Sequence, residues 1–203
     1  VAELPKYFHW AWVEINGIRV LLSRTGYTGE LGFELYFPAD KAVELWRFLL
    51  SQPNVEPAGL GARDTLRLEM GMSLYGHELR ENITPLEAGF GGMLKLQEYP
   101  ERSFIGREAM EKKEGGRTLI AVSADGRRSA REGAEVFDGE GLLIGEVTSG
   151  GFAPSLNHAV ALAYVGKPLA QGSEVFMAAG KGTVMGTVSE VPFYKHGTAR
   201  KKI

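Results

Sequence analysis

The chain has 203 residues, 27 of them glycine and none cysteine, and a formal net charge of −2. A length near 200 allows one large domain or two small ones. The lack of cysteine excludes a disulfide framework, a thiolate metal site and a cysteine nucleophile, and the charge balance argues against a dedicated nucleic-acid binder. Lys195, Arg200, Lys201 and Lys202 form the one lopsided cluster, which reads as a solvated C-terminal end. No run approaches the ~18–20 apolar residues of a membrane helix, and residues 1–12 lack the pattern of a secretory signal.

In chain order, the runs 12–15 and 18–22 flank Asn16-Gly17, the pair that supplies two positive φ angles to a tight hairpin. The glycine-punctuated loop 24–30 follows, then an alternating strand predicted over 31–37. Asp40 is placed to cap a helix reaching Ser51, which carries Val43, Leu45, Trp46, Leu49 and Leu50. Pro53 and Pro57 end it, and a second helix is predicted over 60–70. Thr84-Pro85-Leu86-Glu87 has the form of a capping box with proline at the first helical position. A further amphipathic run, 106–113, ends in the linker candidate Glu114-Gly115-Gly116. Beyond it lie strand-like runs at 118–123, 134–137, 142–148, 159–165, 174–178 and 183–191, separated by turn residues. That spacing predicts a barrel or a sandwich. The chain therefore divides into an α+β portion up to residue 115 and a mostly β portion from 116.

Familiar catalytic signatures are missing. Val147-Thr148-Ser149-Gly150-Gly151 lacks the first glycine of a nucleophile elbow, and Gly180-Lys181-Gly182-Thr183 fails the spacing of a phosphate loop and reads as a hairpin turn. His9, His77, His158 and His196 are scattered without metal-ligand spacing, so each is expected to be a surface or structural histidine.

Two stretches stand out. In RTGYTGELGFE, residues 24–34, the glycines permit sharp turns and close approach to a ligand. Tyr27 offers a ring for stacking and a hydroxyl for one hydrogen bond. Alternation on the following strand turns Glu34 inward beside Leu31, Phe33 and Leu35, where a carboxylate can accept two parallel N–H bonds from a guanidinium or an aminopyrimidine edge. The alternative is a glycine-rich loop with a solvent-facing glutamate. In the second stretch, residues 59–69, Arg63 and Arg67 share a helix face. They form either an intrahelical charge ladder with Asp64 and Glu69 or a clamp for an anionic ligand.

RTGYTGELGFE, followed by GLGARDTLRLEMGMSLYGHEL and ITPLEAG, closely resembles the glycine cleavage T-protein family of aminomethyltransferases. The resemblance continues through Ser103-Phe104-Ile105-Gly106, Arg131-Glu132-Gly133, the run from Ile144 to Gly150 with Pro154, and Pro192-Phe193-Tyr194, so it spans essentially the whole chain. It implies an α+β portion of the family's folate-binding cloverleaf over 1–115, incomplete here, followed by a C-terminal antiparallel β-barrel domain over 116–203.

By the same resemblance, the activity is tetrahydrofolate-dependent. A methylene group passes from the aminomethyl-lipoyl arm of the H-protein to tetrahydrofolate, with release of ammonia. The matching folate positions are Tyr27 beside the pterin, Glu34 on its amino-amide edge, and Arg63 in the same pocket. Met72 stands where many relatives carry a tyrosine, as a soft wall able to pack on folate. The family's aspartate that assists at the reacting folate nitrogen precedes everything in this chain. No catalytic residue is therefore expected within it, and the chain is expected to be the C-terminal portion of a longer transferase, with little or no turnover alone.

The expected partners are lipoylated H-protein and an N-terminal half, in the same or another chain, with neither nucleic acid nor membrane. The expected setting is cytoplasmic, or mitochondrial in a eukaryote. Alternative readings are a non-catalytic folate-binding module, a related folate-dependent demethylase, or a scaffold half that docks another chain through its Trp10/Trp12 edge. The related tRNA-modification proteins carry a Lys-Gly-Cys-type motif, which a chain without cysteine lacks.

Overall fold

The computed structural model describes residues 4–111 and 116–201. Packing divides the chain into two compact units, Val1–Arg67 with Lys195–Ile203, and Leu68–Tyr194.

In the first unit, β1 (Trp10–Ile15), β2 (Ile18–Ser23) and β3 (Glu34–Tyr36) form an antiparallel sheet in that spatial order. The β1–β2 hairpin is the one expected. Asn16 and Gly17 adopt φ of 52° and 73°, as a two-residue turn matching strand twist requires. Alternation turns Ile18 and Val20 to one face, where they pack with Leu45 of helix α1 (Ala42–Leu50). The opposite face is open. Trp12, Leu21 and Tyr36 stand in register across it, as do Trp10, Ser23 and Glu34.

Two expectations need correction here. The strand predicted over 31–37 shrinks to three residues, because the preceding positions are held in the loop. Asp40 makes no cap. A 3₁₀ turn, Ala39–Lys41, precedes α1, and the Ala39 carbonyl takes the Ala42 amide, a donor that the Asp40 carboxylate would have accepted. Helix α2 (Leu60–Glu69) forms as predicted, and the division between units falls inside it.

In the second unit, β4 (Thr118–Ala124), β5 (Glu135–Phe137), β6 (Leu143–Ala153), β7 (His158–Val165), β8 (Glu174–Ala179) and β9 (Gly182–Ser189) close an antiparallel barrel in the order β4-β7-β6-β5-β8-β9. Closure decides between the barrel and the sandwich. Small and branched residues fill the interior, among them Val122, Val136, Val147, Ala163 and Val175, all with no solvent exposure. β7 is buried on both faces. Its Ala159, Ala161, Ala163 and Val165 belong to the barrel core, while Val160 and Leu162 pack with Leu68 and Phe193. The helix α4 (Arg107–Glu111) occupies part of the predicted run, whose end lies outside the described residues together with Glu114 and Gly115 of the linker candidate.

The segment ahead of the barrel contains little regular structure besides α4 and the four-residue helix α3 (Gly91–Leu94). Three buried glutamates, Glu69, Glu78 and Glu87, tie it down. Glu69 Oε1 accepts the Ser155 amide at 2.9 Å. Glu78 Oε2 accepts the Leu74 amide at 2.9 Å, and Oε1 accepts the Thr148 hydroxyl at 2.6 Å. Thr148 sits at an irregularity in the β6–β7 register, where a bulge re-aims it.

Glu87 completes the capping box, accepting the Thr84 amide at 2.8 Å and hydroxyl at 2.9 Å and returning its own amide to Thr84 Oγ1 at 3.2 Å. Its second oxygen accepts the Arg117 amide at 3.1 Å. The expected helix does not follow. The chain makes a single turn, Ala88 amide to Thr84 carbonyl, and leaves it at Gly89 with φ of 81°. The Glu87 carbonyl is used by the Leu119 amide of β4 instead.

Replacing Glu87 by alanine leaves the Thr84 and Arg117 amides without these acceptors. A loss of roughly 2–3 kcal/mol in unfolding free energy is expected, read from urea midpoints. Tyr164 gives a pH test. Burial, with the Glu78 and Glu87 carboxylates adding to it, pushes its hydroxyl up to about 12. The hydroxyl donates to the Glu78 carbonyl at 2.8 Å. A folded-state value above the unfolded one means that the native state holds the proton more tightly. This stabilisation is intact below about pH 10 and is lost as pH rises toward 12, by up to roughly 2–3 kcal/mol. Tyr164→Phe is expected to be less stable than the parent at neutral pH, with the difference shrinking or reversing in denaturation series run into the alkaline range.

Candidate functional site

The loop between β2 and β3 carries the residues that stood out in the sequence. Of its glycines, Gly29 alone has positive φ, 75°. A Cβ placed on Gly26 meets nothing within 4 Å, so space is open beside the residue that precedes Tyr27. Tyr27 is half-buried, and the Arg63 guanidinium lies 4.4 Å from its ring centroid, within stacking range. Among the described residues the Arg63 side chain makes no hydrogen bond or ion pair, so its N–H donors face outward unused.

One helical turn on, Arg67 behaves differently. It is buried, at 1% exposure, and holds Asp64 Oδ1 through Nε at 2.8 Å and a terminal nitrogen at 2.7 Å. The charge ladder is thus half realised. Asp64 takes Arg67, Glu69 turns to Ser155, and Arg63 is left to Tyr27.

Glu34 corrects the inward placement drawn from alternation. It is exposed, while its neighbour Leu35 packs against the core of the unit. Successive residues of a strand take opposite faces, so with Leu35 and Phe37 packed on the core Glu34 turns to the other side. Glu34 accepts the Thr25 hydroxyl, and it shares the open sheet face with Ser23 and Trp10. Met72 belongs to the second unit, half-buried directly after the Gly71 turn.

The structure also brings the C-terminal segment to this loop. Arg24 is 4% exposed and donates to the carbonyls of Ala199 and Lys201, and Thr198 meets Glu30 and Leu31. These pairs lie about 170 residues apart in sequence, so no local pattern could announce them. The C-terminal end, expected to be solvated, keeps Lys195, Arg200 and Lys201 exposed while its backbone is held.

The second unit has a concavity of about 420 Å³ lined by His77, Arg80, Arg117, Glu146, Thr148 and Tyr164 among others. Its groups already serve one another. The His77 Nδ1–H donates to the Thr148 carbonyl at 3.0 Å, and Arg80 meets Glu132 at 3.1 Å. His77 thus has the structural setting expected of it. Among the described residues no cluster of His, Asp or Glu could hold a metal ion, and no helix is long and apolar enough to cross a membrane.

Residues 2–98 match the GCVT N-terminal domain, and residues 117–195 match the glycine cleavage T-protein C-terminal barrel domain. The chain belongs to the glycine cleavage T-protein family. It is 41% identical to an aminomethyltransferase of Cutibacterium acnes, over 94% of this chain and 52% of that protein. It is 43% identical to the aminomethyltransferase of Halothermothrix orenii, over 93% and 54%. The crystal structure of glycine cleavage system aminomethyltransferase T from Bartonella henselae superposes with a TM-score of 0.79 at 36% identity, covering 88% of this chain and 51% of that one. The chain spans about half the length of the curated relatives it matches.

Proposed function

We propose that this chain is the C-terminal portion of a tetrahydrofolate-dependent aminomethyltransferase of the glycine cleavage system. The transferase moves a methylene group from the aminomethyl-lipoyl arm of H-protein to tetrahydrofolate and releases ammonia. Within the proposal, residues 1–115 belong to the folate-binding portion and 116–203 to the barrel domain. Family membership supports the reaction class. The observation that carries the site is the stack of the α2 residue Arg63 on Tyr27, 4.4 Å from guanidinium to ring centroid, with the loop of Tyr27 leading into β3 and the exposed carboxylate of Glu34.

The residues present suit a pterin. Space is open at Gly26, a planar cation already stacks on Tyr27, and Glu34 keeps acceptor capacity beyond its bond from Thr25. Tetrahydrofolate, as substrate, supplies the nucleophilic nitrogens that accept the one-carbon group. In the proposed site Glu34 accepts N–H bonds from the pterin's amino-amide edge, which fixes its orientation. Tyr27 supplies a flat wall beside the ring system, and Arg63 holds that wall while pointing unused donors at an anionic or carbonyl group. Met72 is assigned a packing role on folate. Proton handling at the reacting nitrogen is assigned to an aspartate outside these 203 residues, so the purified chain alone is expected to release little or no ammonia from aminomethyl-lipoyl H-protein.

In the full-length protein, Glu34→Gln is expected to weaken binding of 5-formyltetrahydrofolate by ~1.5–3 kcal/mol, the usual worth of a hydrogen bond to a charged group. Isothermal calorimetry checks it. An affinity equal to that of the parent removes Glu34 from the site.

A further inference from the structure

The C-terminal segment reaches back to the glycine-rich loop at both of the loop's ends. At the start, the Arg24 guanidinium, 4% exposed, donates to the Ala199 carbonyl at 3.4 Å and to that of Lys201. Among the described residues Arg24 Nε has no partner and no carboxylate pairs with this buried cation, and the carbonyls of the segment serve as its acceptors. At the far end, the Ala199 amide donates to the Gly29 carbonyl at 3.0 Å. The Thr198 hydroxyl accepts the Leu31 amide at 2.9 Å and donates to Glu30 Oε2, and the Thr198 amide reaches the same oxygen at 3.3 Å. Tyr27 lies between these anchor points.

We propose that Thr198 and the segment around it form a positioning strap, which holds loop 24–31 in the conformation that presents Tyr27 to the folate. The proposal rests on the folate reading above. The physical need is clear from the composition. Gly26 and Gly29 give the loop wide conformational freedom, and fixing each residue costs backbone entropy. A loop ordered in advance spares the ligand that cost. Thr198 suits the task because one hydroxyl both accepts an amide proton and donates to a carboxylate, a pairing that alanine removes and serine keeps. Thr198 touches no substrate in this scheme. It acts through Glu30, Gly29 and Leu31.

The test uses Thr198→Ala and Thr198→Ser in the full-length protein, with two independent readouts. Hydrogen–deuterium exchange reports the strap itself. In Thr198→Ala the amides of residues 26–31 are expected to exchange at least ~10-fold faster, with those of barrel strands β4 and β7 unchanged, and serine is expected to restore protection. Calorimetry with 5-formyltetrahydrofolate reports the consequence, an affinity about tenfold weaker in Thr198→Ala and near the parent value in Thr198→Ser. Unchanged exchange in the loop overturns the strap, whatever the folate result. Faster exchange with parental folate affinity overturns its positioning role. If the parent itself fails to bind the folate, the reading of function falls, and exchange alone still decides whether Thr198 straps the loop.

Discussion

The second unit depends on buried carboxylates that are held by donors from its own chain. Glu69, Glu78 and Glu87 have almost no solvent exposure. Stripping water from a carboxylate costs several kcal/mol unless donors replace it. Here the donors come from the chain, chiefly as backbone amides: Ser155 for Glu69, Leu74 and the Thr148 hydroxyl for Glu78, Thr84 and Arg117 for Glu87. Each glutamate also offers its own carbonyl, to Tyr194, Tyr164 and Leu119 respectively. A segment with so little regular structure obtains its order from these bonds. The penalty for leaving any of them unmade fixes its path.

A related principle governs the arginines of the first unit, where one residue type does three jobs according to its partner. Arg24 is buried among carbonyls, Arg67 is buried against a carboxylate, and Arg63 lies on an aromatic face with no hydrogen bond among the described residues. Asp64 decides the last two. By taking Arg67 it leaves Arg63, four residues away on the same helix, without an acidic partner on its own helix. The stack on Tyr27 follows from that division.

Periodicity made the strands and the first hairpin legible, because alternation and Asn16-Gly17 are local signals. The closed barrel lay within reach of its spacing, although only the pairing of β4 with β9 separates it from a sandwich. The short turn after Thr84 was half legible. The capping box forms, yet Gly89 and the demand of Leu119 for the Glu87 carbonyl stop the helix, and the second of these is non-local. Asp40 makes no cap for a local reason, since the Ala39 carbonyl takes the Ala42 amide that a cap would need. At the candidate site, Tyr27, Glu34 and Arg63 were found by residue type and by resemblance. Thr198 and Arg24 were not, because a hydrogen bond spanning most of the chain leaves no trace in spacing. The buried glutamates escaped for the same reason, as each reads as an ordinary surface charge until its donors are known.

The exposure of Glu34 belongs to the same logic. An inward glutamate on this sheet would need donors from the chain, as the buried Glu69, Glu78 and Glu87 have, and a carboxylate whose acceptor sites are filled has nothing left to offer a ligand. Held at the end of a strand, steadied by the Thr25 hydroxyl and facing out beside Ser23 and Trp10, Glu34 keeps acceptor capacity while its direction is set. The strand gives its core side to Leu35 and its open side to Glu34, the reverse of the inward placement expected for that carboxylate. A carboxylate that must bind something else has to remain partly unsatisfied, and exposure on the open face leaves Glu34 in that condition.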